Sequence, residues 1–361
     1  MSIGRQLVPL VLLVSVGCVG EPGAEASAAS AEACSSPRAP DVVFDTDLDF
    51  DDATALAYLC AEHLAGHIRL RAVTIENDGA GTPGSAIRHA RCVLAACGAP
   101  DVPVADGSPV GAHAVSPELR GAVELVLEGA LAGCSESSAP AAQSAPDLLR
   151  SVLRDDTILV ATGPLTNVAT ALEDDHHHRH GRRRLDADRV VIMAGALGVP
   201  GNLLGTGTET YDNTQELNAW ADPSALEDVL AAFGERVTLV PLDATNDVPV
   251  TFEYVGTLAA SAATASADIV VDVTSQPIVQ FGISIHAFFW WDPLAAVAAV
   301  DVAGPSSVLD TGRERIAVVT AEGPSSGRTY VSRRGTRISV ARHADAAAFE
   351  SAFLAGLNQT D

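Results

Sequence analysis

The sequence predicts an α/β fold with a mainly parallel central sheet and helices on both faces. Three observations carry that expectation. Short apolar runs of strand length alternate with stretches of helical spacing, the pattern of a parallel sheet covered on both sides. Polar clusters follow the runs at their carboxyl ends, after Phe44, Ile75, Ala161, Met193 and Val240, where such folds bind ligands. No internal repeat and no second linker breaks the pattern, so residues 38–361 read as one large domain.

The elements follow in order. Val42-Val43-Phe44 is a strand, and Asp51 to His63 is a helix on the spacing of Ala55, Leu56 and Leu59. Leu70 to Ile75 is the next strand, followed by a helix from Ile87 to Ala96 and a strand at Val102–Ala105. Ile158–Ala161 leads into a helix from Leu165 to Leu172, and Arg189–Met193 and Val237–Val240 add two strands. Gly111 to Pro146 is rich in Ala, Ser and Gly and is expected to hold long loops. The basic tract His176 to Arg184 reads as a solvated insertion.

Composition narrows the chemistry. The formal charge is −24, and all 22 basic residues are arginine. So acidic a surface repels nucleic-acid phosphates, which argues against a nucleic-acid partner but leaves uncharged nucleosides open. With no lysine, Schiff-base chemistry, Walker-type phosphate loops and lysine bases are excluded.

Residues 1–18 read as an export signal: Arg5 precedes a short apolar stretch from Val8 to Val16, too short to span a bilayer. Ser15-Val16-Gly17-Cys18 resembles a lipobox, which would make Cys18 a lipidated membrane tether; the alternative is an ordinary signal with an incidental cysteine. Either way the mature protein is expected outside the cytoplasm, as a periplasmic, membrane-anchored or secreted protein. Residues 19–37 read as a disordered linker. Export permits disulfides among Cys34, Cys60, Cys92, Cys97 and Cys134, and the sequence does not fix their pairing.

The segment Asp45-Thr46-Asp47-Leu48-Asp49-Phe50-Asp51-Asp52 places five carboxylates at a strand-to-helix turn. Helix capping accounts for one or two of them. Five close carboxylates repel unless solvated, protonated or bound to a hard, oxygen-seeking cation such as calcium. An EF-hand fits poorly, and an Asp-x-Asp phosphatase would want a lysine.

Asp45-Thr46-Asp47-x-x-x-Asp51-Asp52 with Ala55-Leu56 resembles the N-terminal signature of the inosine–uridine-preferring nucleoside hydrolases. Further blocks follow in that family's order: Ala161-Thr162-Gly163-Pro164-Leu165-Thr166-Asn167, Met193 to Asn202, Glu216-Leu217-Asn218 with Asp222-Pro223, Leu242 to Asn246, and Trp291-Asp292-Pro293. The resemblance spans roughly residues 41 to 302. It implies hydrolysis of the N-glycosidic bond of ribonucleosides, with one Ca2+ held by Asp47, Asp52, the Thr162 carbonyl and Asp292. It implies that Asp47 is also the general base, that Asp51, Asn202, Glu216 and Asn218 bind ribose, and that Asp45 orients the loop. Members of the family are often dimers or tetramers.

Three departures stand out. Asp49 occupies a place where many members have glycine, and Leu217 replaces the usual Phe. Trp290 and Trp291 precede Asp292 where many members have His, a candidate acid for the leaving base. The run Phe288 to Trp291 is expected on a helix, mostly in the core, with Trp291 available to stack on the base; stacking favours purines. His286 is a weaker acid candidate. The alternative function is an exported ribose- or nucleoside-binding protein without turnover.

Overall fold

The computed structural model describes residues 38–177, 185–203, 210–301 and 307–359. The expected signal, the linker, Cys18, Cys34 and residues 178–184 of the basic tract lie outside the described residues.

The first half of the chain runs β1 (Asp41–Thr46), α1 (Phe50–Leu64), β2 (Arg69–Ile75), α2 (Ser85–Cys97), β3 (Val104–Asp106), α3 (Pro117–Ala130), α4 (Ala145–Val152), β4 (Thr157–Ala161), α5 (Thr166–His177) and β5 (Arg189–Met193). It continues through α6 (Leu217–Ala221), α7 (Pro223–Phe233), β6 (Val237–Val240), α8 (Leu242–Thr245), α9 (Phe252–Ser261), α10 (Ala265–Thr274) and α11 (Pro277–Ser284). The last elements are α12 (Trp291–Val300), β7 (Leu309–Val318), β8 (Thr329–Val331), β9 (Thr336–Ala344) and α13 (Ala346–Leu357).

The described strands form one sheet in the order β3-β2-β1-β4-β5-β6-β9-β7-β8. Pairings from β3 through β6 to β9 are parallel, while β7 pairs antiparallel with both β9 and β8. The order reverses at β1, whose neighbours are β2 and β4, and a ligand crevice opens beyond the carboxyl ends of the strands at such a switch point. Successive β1 residues serve opposite faces, as the two-residue period of a strand requires. Val42 and Phe44 pack with Leu56 and Leu59 of α1, whereas Val43 packs with Leu149 of α4 and Val168 of α5.

Gly111 to Pro146 does hold loops, at 111–116 and 131–144, and between them a helix the sequence reading did not name, α3, ahead of the start of α4. Ser116 caps α3 by accepting from Leu119 N–H at 3.2 Å, Pro117 opens it, and Val123, Val126 and Leu127 form its buried face. The small residues around α3 mask that stripe. One expectation is corrected: Phe288, Phe289 and Trp290 are not helical. The Val250 N–H donates to the Phe288 carbonyl, and the Trp290 N–H to that of Val248, so the run is pinned to the chain ahead of α9; α12 begins at Trp291. Of the cysteines whose pairing the sequence leaves open, Cys92 and Cys134 form a disulfide with Cα atoms 5.9 Å apart, and the free ones among the described residues are Cys60 and Cys97, both buried. No helix among the described residues is long and apolar enough to cross a membrane.

Candidate active site

The acidic turn leaves β1 at the point where the strand order reverses, between β2 and β4. Leu48 adopts a left-handed backbone (φ +54°), uncommon for a bulky residue and typical of turns that position functional groups. Asp49 is extended (φ −79°), so the place where the family favours glycine needs no glycine here. Its carboxylate accepts from the N–H groups of Asp51 and Asp52, and Asp52 Oδ2 accepts from Asp49 N–H at 3.0 Å, a capping box that starts α1. Asp52 Oδ1 accepts from the hydroxyls of Thr46 and Thr162, each at 2.5 Å. One carboxylate thus ties β1, α1 and the turn after β4 together.

Asp47 is enclosed by the loop after β2. Its Oδ2 accepts from Ala80 N–H at 2.6 Å. A Cβ on Gly79 would stand 2.1 Å from that same oxygen, and one on Gly81 1.9 Å from the Asp47 carbonyl oxygen, so the loop closes this tightly only with glycines there. Behind the turn, Asp45 accepts from the Thr74 hydroxyl at 2.5 Å and from Asn167 Nδ2 at 3.1 Å. Burial raises the Asp45 pKa to about 6. Glu76, next to Asp45, is pushed well above the carboxylate range by burial and by Asp45 and Asp78; its Oε1 accepts from Asn167 N–H at 2.7 Å. Glu76 is a buried member of this network without a role in the sequence expectation. The signal for it was its place directly after a strand, at the carboxyl edge of the sheet.

A cavity of about 260 Å³ opens beside this turn. Asp49, Asp51, Thr162 and Asp292 line one part, Asn202, Glu216 and Asn218 another, and Phe50, Phe288 and Trp291 give it an aromatic wall. Of the expected site residues, Asp51, Thr162, Asn202, Glu216, Asn218, Trp291 and Asp292 therefore meet at one cavity. Asp47 and Asp52 join them through Asp49: ligand atoms of Asp47, Asp49 and Asp52 lie within 4.8 Å of one another, and so do those of Asp49, Asp51 and Asp292. Asp45 stands behind the turn, out of the cavity lining. His286 is exposed and outside that lining.

The polar wall is held from its backbone. Glu216 caps α6 and accepts from the N–H groups of Asn218 (2.8 Å), Gly195 (2.9 Å) and Ala219 (3.0 Å). Asn202 Oδ1 accepts from Leu217 N–H at 2.9 Å. Asn218 Nδ2 donates to the carbonyls of Thr162 (2.7 Å) and Met193 (3.3 Å). On the aromatic wall Phe288 packs against Phe50 with ring centroids 4.8 Å apart, and against Trp291 at 6.1 Å in an edge-on arrangement. Trp290 instead belongs to the core, against Tyr254, Phe349 and Phe353.

The electrostatics fit a cation. Burial, then repulsion from Asp52, lifts the Asp47 pKa well above its ordinary value. Burial and Asp51 do the same to Asp292, and burial leads the upward shifts of Asp49 and Asp51. Arg120, whose field reaches Asp47, donates to the backbone carbonyls of Gly79 and Asn77. A cluster of buried, mutually repelling carboxylate oxygens is the donor set of a hard divalent cation.

A doubly wound sheet with a carboxylate-lined cavity at its switch point defines a small-molecule site of hydrolase type. The chain belongs to the inosine-uridine preferring nucleoside hydrolase family, whose pattern matches residues 42–351. It is 33% identical over 217 residues to the pyrimidine-specific ribonucleoside hydrolase RihA of Klebsiella pneumoniae subsp. pneumoniae, a match covering 57% of this chain and 61% of that protein. RihA of Shewanella sp. strain MR-7 is 30% identical over 216 residues, covering 58% and 61%. The match thus spans about three fifths of the length of these relatives. The fold is that of an inosine-uridine preferring nucleoside hydrolase from Bacillus anthracis (TM-score 0.74, 22% identity, covering 88% of this chain and 99% of that one). It is equally that of a purine-preferring ribonucleoside hydrolase from Gardnerella vaginalis (TM-score 0.69, 22% identity, covering 88% and 98%).

Proposed function

We propose that this protein hydrolyses the N-glycosidic bond of ribonucleosides, releasing free base and ribose. The observation that carries the reading is the cavity itself, where Asp51, Asp292, Asn202, Glu216 and Asn218 face an aromatic wall. Membership of the family supports it. Asp47, Asp52, Asp292 and the Thr162 carbonyl would hold the cation, with Asp49 beside both carboxylate groups. When bound, a hard divalent ion, expected to be Ca2+, supplies Lewis acidity that binds ribose hydroxyls and acidifies water.

The remaining chemistry belongs to the side chains. Asp47 acts as general base: its buried carboxylate stands among those of Asp49 and Asp52, where it would take the proton of an acidified water. Asn202 keeps its side-chain amide free of the bond that its Oδ1 accepts, so Nδ2 is free to donate to a ribose hydroxyl. Glu216 Oε1, which accepts one backbone N–H, retains a lone pair for a second donor. Asp51 and Asn218 complete the sugar's polar surroundings. Anionic carboxylates on one side of the ring stabilise the positive charge that develops on an oxocarbenium-like sugar. The base would lie toward Phe288 and Trp291.

That aromatic wall favours the larger face of a purine. The relatives named as pyrimidine-specific make uridine and cytidine the competing substrates. We also read residues 1–18 as an export signal, with Cys18 as a tether if lipidated, and the folded protein as a homodimer or homotetramer. Mass spectrometry of the mature N-terminus and light scattering test these; an intact Met1 in the mature protein, or a monomer, would overturn them.

The functional test is reducing-sugar release from inosine, adenosine, guanosine, uridine and cytidine with calcium present. Release that disappears in Asp47→Ala supports the reading. Nucleoside bound without turnover would instead favour an exported binding protein.

A further inference from the structure

Arg120 stands in the first turn of α3, next to Leu119, which lines the cavity. Its half-buried side chain reaches the loop after β2. There Nε donates to the Gly79 carbonyl at 3.1 Å and Nη2 to the Asn77 carbonyl at 3.2 Å. A guanidinium suits two carbonyls so placed, because its donors are fixed in a planar fork. The Gly79 carbonyl and the Ala80 N–H belong to one peptide group, and that N–H donates to Asp47 Oδ2 at 2.6 Å. In a planar trans peptide the carbonyl and the N–H point in opposite directions. Holding the carbonyl on Arg120 therefore aims the N–H at Asp47. Glycine at 79 gives this peptide little resistance of its own to turning over. The loop needs glycine for its close approach to Asp47, and an outside anchor for the direction of its N–H.

We propose that Arg120 is a positioning residue for Asp47, acting through the peptide group between Gly79 and Ala80. The inference rests on the reading of Asp47 as cation ligand and general base. With Oδ2 gripped, the Asp47 carboxylate is presented to cation and water in one orientation. Hydrogen bonds in a chain polarise one another, so the guanidinium charge also strengthens the donation from Ala80. A role as a nearby positive charge alone predicts the opposite effect on the cation. A guanidinium repels a cation through space, so removing it would tighten cation binding. Removing a positioning residue loosens it. The sign of the change separates the two roles.

The test uses the full chain, with Arg120→Ala and Arg120→Lys beside wild type. In calorimetry Arg120→Ala is expected to weaken calcium binding about 10- to 100-fold. Its kcat on inosine should fall by the same order, with KM at saturating calcium near wild type. Arg120→Lys keeps the charge without the planar fork and should fall between the two. In the metal-free proteins, hydrogen exchange read by mass spectrometry should be faster at Ala80 in both variants. Wild-type or tighter calcium binding in folded Arg120→Ala would overturn the proposal, and so would unchanged exchange at Ala80. If Arg120→Ala fails to fold, Arg120→Lys decides: wild-type calcium affinity there would assign the effect to charge alone and overturn the positioning role. A wild-type protein that binds no calcium and cleaves no nucleoside would instead overturn the site reading, while exchange at Ala80 still decides whether Arg120 holds the peptide.

Discussion

The side-chain amide of Asn218 donates to the main-chain carbonyl of Thr162 at 2.7 Å. The bond links a residue expected to bind ribose with a residue expected to hold the cation, across the ends of β4 and α6. It fixes the direction of a carbonyl that must also face the cavity. Supporting partners of this kind typically alter metal affinity or activity about 10- to 100-fold when removed. Asn218→Ala is expected to weaken calcium affinity and lower kcat/KM by that order, while the far-UV spectrum stays native. Calcium titration of activity, fitted separately for kcat and KM, measures both effects; wild-type calcium affinity in the variant would contradict this linkage.

Chelation should both inactivate and destabilise the protein. A ligand that binds only the folded state adds stability by mass action, about 2.7 kcal/mol at a hundredfold excess over its Kd. The buried carboxylates of Asp47, Asp51 and Asp292 repel one another without it. Differential scanning fluorimetry with EDTA and then with excess calcium should show Tm fall and recover together with activity. A Tm indifferent to both would mean that the acidic turn holds no cation.

In the metal-free protein, Asp45 gives a pH signature. Its pKa is about 6 in the fold against 3.8 ordinarily, because it is fully buried. The folded state therefore keeps a proton that the unfolded chain has released. Stability from this group is present below about pH 4 and is lost as pH rises through about 6. Asp45→Asn mimics the protonated form and should gain on wild type over that interval, by up to about 3 kcal/mol. Urea unfolding of both proteins at pH 4 and pH 7 in EDTA checks the sign; a gap that narrows toward pH 7 would contradict it.

Trp291 should matter more to purines than to pyrimidines. An aromatic stack is worth about 0.5–1.5 kcal/mol beyond simple burial. Trp291→Leu is expected to lower kcat/KM for inosine by roughly 2- to 12-fold, with a smaller loss for uridine. Equal losses on the two substrates would place Trp291 in the packing of the wall with Phe288 and not against the base.

Much of this was legible in the sequence, for physical reasons. Strands β1, β4 and β5 carry short buried apolar runs, and β2 and β6 do so with a polar residue or two between, and the carboxylates stand out because they follow such runs directly. The antiparallel β7 and β9 were not, since their outward residues are charged, Arg313, Glu314, Arg315, Arg337 and Arg342 among them, which breaks the apolar run. Helix α3 was hidden by alanine and glycine around its stripe. The aromatic run before Asp292 reads as helical by its neighbours, yet backbone bonds to Val248 and Val250 hold it extended. Asp49 was legible as an added charge, but its role as the cap of α1 and its place in both carboxylate groups depend on three-dimensional proximity. Glu76 shows the same limit, because its partners Asp45 and Asn167 arrive from β1 and the start of α5.

The central claim is that water cleaves the N-glycosidic bond with Asp47 as base. Its most direct test is chromatography of inosine and uridine incubated with the full chain and calcium, comparing wild type with Asp47→Ala. Equimolar base and ribose should accumulate with wild type, and the variant should be slower by about 10²- to 10⁴-fold, the range of general-base catalysis. Nucleosides recovered intact from the folded, calcium-loaded protein, or a variant as fast as wild type, would contradict it.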